Sequence, residues 1–305
     1  MIESIFPIEL SKLVSKYVNM EKLFEIRIRL DAPIILNISN DYYFLSNNGL
    51  TKDINESIFT TQELISKIVY IITESSMYSV NNQLKEGFIT TKNGIRIGIA
   101  GEVVYENNRV ITIKNISYLN IRIPHAINNC SKRIFDFLID KPFNNTIIIS
   151  PPGMGKTTFL RDIMYQIYKN KYCLNCLLID ERYEIAGLNS FKSQFDVGIF
   201  TDILSGCKKQ YGFENGIRSM SPDIIFTDEI STSEDCVAIE NAISSGVSIV
   251  TTTHSRNLNE FIIKPIFKRI IENKYFKRFI VLSKRKGVGT IDGLYDENYK
   301  LLYRD

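Results

Sequence analysis

Hydrophobic and polar positions alternate in the first part of the chain. In residues 25–38, Ile26, Ile28 and Leu30 are separated by charged side chains. An alternation with a period of two residues is typical of a β-strand that has one face buried and the other in water. The segment is therefore predicted to be a strand with one charged face.

Further elements of both kinds surround this strand. An amphipathic helix is predicted over residues 8–18, and a second helix over residues 60–78. Residues 86–123 are predicted to form several short strands, because turn-type residues interrupt them at 93–94 and at 107–108. The elements together predict a small α+β domain over the first 125 residues.

The rest of the chain has a different pattern, in which short, continuously apolar runs alternate with helical periodicity. The runs are expected to be strands buried on both faces, as in a parallel sheet covered by helices. They lie at residues 145–150, 176–180, 223–229, 247–253 and 278–283. Residues 290–303 are predicted to form an antiparallel hairpin. Pro124 and the polar residues 128–132 indicate a linker, which leaves a second domain over residues 126–305.

Composition limits the class of protein. The 305 residues carry a net charge of +3, which is too small to indicate a nucleic-acid binder by itself, and no nucleic-acid partner is expected. The five cysteines are odd in number and irregular in spacing, which argues against a disulfide framework. Cys173 and Cys176 form a lone C-x-x-C with no further zinc ligands nearby, so they are interpreted as buried cysteines.

The chain lacks the signals of secretion and membrane insertion. Glu3 and the absence of a basic segment before an apolar run argue against a secretory signal. No run of about 18 apolar residues occurs, so no transmembrane helix is expected. The protein is therefore expected to be soluble, or at most peripheral to a membrane.

The strand predicted at 145–150 leads into SPPGMGKTT, residues 150–158. Apart from Ser150 in place of the first glycine, this is the phosphate-loop pattern G-x-x-x-x-G-K-S/T, and a helix pattern follows it, as that loop requires. Lys156 is expected to reach the β- and γ-phosphates of ATP, and the Thr157 hydroxyl to bind Mg²⁺. The candidate nucleotide-binding residues are Pro151, Pro152, Gly153, Met154, Gly155, Lys156, Thr157 and Thr158. A chance G-x-G-K-T turn is the alternative, which the flanking strand and helix disfavour.

A carboxylate pair, Asp228 and Glu229, ends the apolar run at 223–229. The carboxyl ends of parallel strands meet at one edge of the sheet, where ligands bind. Asp228 is predicted to hold Mg²⁺ and Glu229 to orient or deprotonate the attacking water. The alternative is a solvated loop that happens to carry two acids.

Two more predicted strands end in polar residues at the same edge. The first is followed by Asp180, Glu181, Arg182 and Glu184, and the second ends in Thr252, Thr253 and His254. His254 is a candidate for sensing the γ-phosphate through a hydrogen bond. A purely structural histidine is an equally good interpretation of the pattern alone.

The order phosphate loop, acidic segment, Asp-Glu, Thr-x-His resembles the secretion ATPases of type II and type IV systems and of type IV pili. It resembles more closely the family of stage III sporulation protein AA from spore-forming Firmicutes. The segments that carry this second resemblance span nearly the whole chain: EIRIRLDAPIIL, LKEGFITTKNGIRIGIAGE, SYLNIRIP, SPPGMGKTTFLRDI, IDERYEIAG, IRSMSPDIIFTDEI and AISSGVSIVTTTHS.

The resemblance implies an α/β protein with a RecA-like P-loop NTPase core, preceded by the smaller α+β domain. It implies a homo-hexameric ATPase that binds ATP between the two domains. It places Glu181 in an acidic box and His254 in a histidine box, although this chain has Thr-His-Ser and Asp228 where secretion ATPases usually have Thr-His-Thr and glycine. It also implies membrane-protein partners in a channel complex and a place in the mother-cell cytoplasm, peripheral to the membrane.

Arginines complete the sites of many ring ATPases from a neighbouring domain or subunit. Arg122 resembles the R-x-P arginine of secretion ATPases and is the first candidate. The others are Arg27, Arg29, Arg96, Arg109 and Arg218.

Residues 264–286 contain nine basic residues and one acidic residue, a local charge of +8. A solvated helix face or a ring interface is the simpler interpretation. An anionic membrane surface and a nucleic acid are the alternatives. The sequence as a whole predicts an ATP-hydrolysing motor, with a nucleic-acid motor and a nucleotide-dependent assembly scaffold as alternatives.

Overall fold

The computed structural model describes residues 2–39, 41–73, 80–91, 95–123, 128–140, 143–187, 193 and 195–305. The chain divides into two compact units, one over residues 1–125 and the other over residues 126–188 and 193–305. The predicted turn at 93–94, the linker residue Pro124 and the last residues of the helix predicted over 60–78 lie outside the described residues.

The first unit is built on a seven-stranded antiparallel sheet in the order β4-β3-β2-β1-β7-β6-β5. Its strands are β1 (Leu23–Arg29), β2 (Ile35–Ile38), β3 (Asp41–Ser46), β4 (Gly49–Thr51), β5 (Phe88–Thr90), β6 (Arg96–Glu106) and β7 (Arg109–Arg122). Its helices are α1 (Ile8–Tyr17), α2 (Gln62–Ile72) and α3 (Asn81–Lys85). One hydrophobic core packs this sheet and its helices together.

The segment predicted as one strand over 25–38 is in fact a hairpin. Asp31 has a φ of 54° and lies in the turn between β1 and β2, which pair antiparallel. An aspartate can take this left-handed conformation at little cost, so the alternation continues on both sides of a reversal of the chain. The turn predicted at 107–108 is confirmed, since Asn107 and Asn108 have φ values of 49° and 59° between β6 and β7.

The second unit is built on an eight-stranded sheet in the order β10-β9-β11-β12-β8-β13-β14-β15. Its strands are β8 (Thr146–Ser150), β9 (Cys176–Asp180), β10 (Thr201–Ser205), β11 (Ile224–Glu229), β12 (Ser248–His254), β13 (Arg278–Ser283), β14 (Thr290–Tyr295) and β15 (Leu301–Tyr303). Its helices are α4 (Lys156–Lys169), α5 (Lys209–Met220), α6 (Ser233–Ser244), α7 (Leu258–Ile263) and α8 (Lys268–Glu272).

In the order of the sheet, the first six strands, from β10 through β9, β11, β12 and β8 to β13, run parallel. At the other end of the sheet, β14 pairs antiparallel with β13 and with β15. The predicted hairpin over 290–303 is confirmed by the last two strands, whereas β10 was not predicted. Separate hydrophobic clusters cover the two faces of the sheet, with Ile148 of β8 in one and Ile147 in the other. Strands buried on both faces explain the continuous apolar runs.

In the described part of the chain, no helix is both long enough and apolar enough to cross a membrane.

Candidate nucleotide-binding site

The phosphate loop joins the end of β8 to the start of α4. Gly153 and Gly155 have φ values of +75° and +86°, a left-handed conformation that other residues adopt only with strain. A Cβ placed on Gly153 would meet no atom within 4 Å, so backbone conformation and not space requires glycine there. Thr157 and Thr158 lie in the first turn of α4, where the helix dipole is positive and backbone N–H groups are free to bind an anion.

Ser150 fits the position that a glycine usually takes in this motif. It is the last residue of β8 and is fully buried, and its φ lies outside the left-handed region. Its hydroxyl donates to the Pro151 carbonyl at 2.9 Å. A small residue is sufficient here, because the backbone does not need the freedom of glycine.

Lys156 is held against the loop that precedes it. Its side chain is buried, and Nζ donates to the carbonyls of Ser150 at 2.9 Å and Pro151 at 3.1 Å. Burial lowers the pKa of Lys156 to about 8, and the nearby Glu229 carboxylate opposes this change. The ammonium group is thus positioned at the loop by its own backbone.

His254 connects Lys156 to the acidic pair. Its Nδ1 lies 2.7 Å from Lys156 Nζ, and its Nε2 lies 3.1 Å from Glu229 Oε2. An ammonium group can only donate, so Nδ1 must accept, and the proton of a neutral imidazole is then on Nε2, facing the carboxylate. This tautomer, assigned from the partners, satisfies both contacts at once.

Parallel strand register brings these three residues together. His254 of β12 is paired with Ser150 of β8, and Glu229 of β11 with Thr252 of β12. The phosphate loop, the histidine and the acidic pair therefore emerge at the same edge of the sheet, as the sequence predicts.

Asp228 has a different neighbour from Glu229. Its Oδ1 lies 2.8 Å from Nζ of Lys209, and the same Nζ donates to Glu181 Oε2 at 2.5 Å. Burial is the largest cause that raises the pKa of Asp228 to about 6, and Asp180 and Glu181 raise it further against the effect of Lys209. For Lys209 itself, burial lowers the pKa and Asp228 and Glu181 raise it, with a net increase.

Lys209 belongs to no motif recognised in the sequence. The one available signal was the pair of glycines in the following helix, Gly212 and Gly216, since a glycine inside a helix usually marks close packing. Both would place a Cβ within 3 Å of a side chain of β9, which explains how α5 comes close enough for Lys209 to reach the acids.

The acidic segment after β9 has two separate roles. The fully buried Asp180 carboxylate accepts backbone N–H groups of Glu184, Ile185 and Ala186 at 2.9–3.1 Å. Asp180 therefore shapes the chain after β9. Glu181 extends instead to Lys209, and the contacts of its carboxylate do not include Lys156 or His254.

Arg161 of α4 supports the same segment. Its guanidinium lies 3.8 Å from the centre of the Phe195 ring and donates to the Glu184 carbonyl at 3.2 Å. Arg161 lies outside the phosphate-loop motif of residues 150–158.

Arg122, the predicted arginine of the site, lies in the first unit. It is the exposed last residue of β7, where it is paired in register with Glu25 and with Arg96. Its part in the site stays a prediction.

Some of the basic residues of 264–286 have acidic or carbonyl partners. Arg269 pairs with Glu240 at 2.9 Å, Arg285 pairs with Asp292 at 2.8 Å, and Lys264 donates to the His254 carbonyl. These contacts favour a structural interpretation of that part of the basic segment.

The donor set fits magnesium that is shared with a nucleotide. Mg²⁺ is usually bound by one or two protein groups together with substrate phosphates and water. Thr157 and Asp228 provide a hydroxyl and a carboxylate of this kind. Among the described residues, no three His, Cys, Asp or Glu side chains form a group that could hold a metal ion by themselves.

A phosphate-loop motif, an acidic pair and a histidine at one edge of a parallel sheet are the features of a P-loop fold with a RecA-like core. The chain belongs to the family "Sporulation stage III, protein AA", which matches residues 1–302. Both the predicted fold class and the predicted family are thereby confirmed. The chain is 34% identical over 283 residues to stage III sporulation protein AA of Bacillus subtilis (strain 168), covering 92% of this chain and 89% of that protein.

Solved structures support the fold independently of sequence. The Legionella pneumophila ATPase DotB matches with a TM-score of 0.59 and 14% identity, over 90% of this chain and 76% of DotB. The pilus retraction motor PilT with bound ADP matches with a TM-score of 0.59 and 15% identity, over the same shares of the two chains.

Proposed function

We propose that this protein is an ATP-hydrolysing motor that energises a membrane-associated channel complex during sporulation. The observation that carries the proposal is the connection of Lys156 to Glu229 through His254, with contacts of 2.7 Å and 3.1 Å. A phosphate-binding cation and a carboxylate that can act as a base are thereby fixed at one sheet edge. Hydrolysis of a phosphoric anhydride requires these two groups on either side of the reacting phosphate.

Each residue has a chemical role in this proposal. The N–H groups of the loop and of the first turn of α4 bind the phosphates, and Lys156 adds a positive charge at the β- and γ-phosphates. Thr157 and Asp228 would hold Mg²⁺, which would supply positive charge against the charge that develops on the phosphate oxygens. Glu229 accepts a proton from the attacking water, in a position fixed by the His254 Nε2–H donor.

His254 can link phosphate binding to the base. Lys156 Nζ shares its hydrogen bonds between the loop carbonyls and His254 Nδ1. A γ-phosphate that attracts this ammonium weakens its bond to the imidazole and changes the environment of Glu229. This geometry supports the γ-phosphate-sensing role proposed for His254. Glu181 is proposed to share that role from its own position beside Lys209.

The assembly is proposed by analogy with the family and its structural neighbours. The Bacillus subtilis relative is named for sporulation, and PilT is described as a pilus retraction motor. We infer a homo-hexamer in the mother-cell cytoplasm that is held at the membrane by partner proteins. Arg122 is proposed to complete the site from the first unit.

The test is the Glu229→Gln variant. It removes the base but keeps the size of the side chain, so ATP binding should persist while hydrolysis falls by about 10²-fold or more. The matched control is Glu234→Gln, which changes an exposed glutamate of α6 and should hydrolyse ATP at the wild-type rate. Binding is measured with a fluorescent nucleotide and hydrolysis by phosphate release.

The outcomes separate the proposal from its alternatives. Equal turnover of Glu229→Gln and wild type would exclude the proposed role of Glu229. Tight nucleotide binding with almost no turnover in wild type would indicate an assembly scaffold. A large increase in turnover with single-stranded DNA would indicate a nucleic-acid motor.

A further inference from the structure

Lys209 is a buried cation that touches two acids from adjacent strands. It is the first residue of α5, is 6% exposed, and contacts Glu181 after β9 and Asp228 at the end of β11. These two strands are neighbours in the sheet and pair in parallel. Lys209 therefore joins two parts of the site that lie far apart in the sequence.

The packing of α5 fixes where this ammonium lies. Gly212, one turn after Lys209, faces Ile179 of β9, and a Cβ there would be 2.7 Å from Ile179 Cγ2. The Gly212 N–H donates to the Lys208 carbonyl at 3.0 Å and closes the first turn of the helix. With its backbone held against β9 and its side chain buried, Lys209 has little freedom to leave the acids.

The positive charge of Lys209 affects whether a divalent cation can bind at Glu181 and Asp228. Without the lysine, Glu181 and Asp228 would be two carboxylates at neighbouring strand ends, with Asp180 close by. Hard divalent cations bind oxygen ligands of this kind. Instead, the Lys209 ammonium pairs with both carboxylates, and its Nζ lies 2.8 Å from Asp228 Oδ1 and 2.5 Å from Glu181 Oε2. Its positive charge repels a free divalent cation that approaches these oxygens.

We propose that Lys209 is an internal counter-cation that keeps a free divalent ion away from Glu181 and Asp228, so that magnesium enters the site together with the nucleotide. Lys209 is a positioning residue, since it acts through these two carboxylates. The part of the inference that concerns magnesium with nucleotide rests on the proposed function. The exclusion of a free ion concerns the nucleotide-free protein alone.

The experiment measures Mn²⁺ binding to nucleotide-free, full-length protein by electron paramagnetic resonance of the free ion. Lys209→Met should bind Mn²⁺ about tenfold or more tightly than wild type, because a positive charge next to the ligands has been removed. Lys209→Arg keeps the charge and should bind like wild type. The neighbouring, exposed Lys208 provides the matched control, and Lys208→Met should also bind like wild type.

Two double variants identify the ligands and guard against misfolding. In Lys209→Met with Asp228→Asn, Mn²⁺ affinity should return to the wild-type value, since the carboxylate is gone. Lys209→Met with Glu181→Gln leaves fewer unpaired charges, and it should bind Mn²⁺ with an affinity between wild type and Lys209→Met. It replaces the single variant if that protein does not fold.

Unchanged Mn²⁺ affinity in Lys209→Met, or in its Glu181→Gln double variant, would overturn the inference. So would tight binding that persists after Asp228→Asn. Both results are independent of turnover. If the wild-type protein hydrolyses no ATP, the proposed function is rejected, but the Mn²⁺ affinities of the variants can still be compared.

Discussion

In the first unit all six pairs of neighbouring strands in the described sheet run antiparallel, whereas in the second unit five of the seven pairs run parallel. Strand ends of one kind therefore alternate between the two edges of the first sheet. In the second sheet the carboxyl ends of β8, β9, β11 and β12 meet at a single edge. The candidate site residues lie at this edge, because parallel strands bring their carboxyl ends together there.

The two sheets also differ in how many faces they bury. Along β1, Ile26 and Ile28 are fully buried and Arg27 between them is partly exposed. Along β8 every residue is buried, because hydrophobic clusters cover both faces. β1 thus has one buried face and one partly exposed face, whereas β8 is packed against hydrophobic clusters on both faces.

The largest expected effect tests whether an arginine of the first unit contributes to ATP hydrolysis at the site in the second unit. Arg122→Ala should lower the rate of ATP hydrolysis by about 10³-fold and change nucleotide affinity little, as loss of a charge-stabilising arginine does elsewhere. Lys114→Ala, at an exposed position of the same strand, is the control and should retain the wild-type rate. If Arg122→Ala hydrolyses ATP like this control, the site needs no arginine from that position.

The next effect tests the difference between one buried face and two. Ile26→Ala should lower the free energy of unfolding by about 2–5 kcal/mol, while Arg27→Ala should cost about 0–1 kcal/mol through its partly exposed pair with Glu25. In β8, Ile147→Ala and Ile148→Ala should each cost about 2–5 kcal/mol.

Urea unfolding, followed separately for each unit, checks these four values. The comparison fails if Arg27→Ala is as costly as Ile26→Ala. It also fails if one of the two β8 positions tolerates alanine without a measurable loss.

The smallest effect tests the contact between α5 and β9. Gly212→Ala gains about 1 kcal/mol of helix propensity, but overpacking against Ile179 costs about 1–3 kcal/mol, so a net loss of up to about 2 kcal/mol is expected. Ser219→Ala, at an exposed position of the same helix, should change stability by no more than about 0.5 kcal/mol. A Gly212→Ala protein more stable than wild type in thermal unfolding would show that the contact relaxes without cost.

Several elements were predictable because their signals are local. The phosphate loop, the Asp-Glu pair and the helix over α4 are each read from a few consecutive residues, and the structure places them at one sheet edge. Other elements gave no such signal. The segment 25–38 alternates without interruption, so only the left-handed Asp31 reveals the reversal, and β10 follows a stretch with no clear periodicity.

The kind of site can be read from consecutive residues alone, because a glycine-rich loop between a buried strand and a helix is suited to bind phosphate. Which side chains meet at that site depends on the fold. His254 reaches both Lys156 and Glu229, and Lys209 reaches both Glu181 and Asp228, through strand register and helix packing. Those contacts join residues 19 to 98 positions apart in the chain, a separation at which a local pattern of hydrophobic and polar positions carries no information about contact.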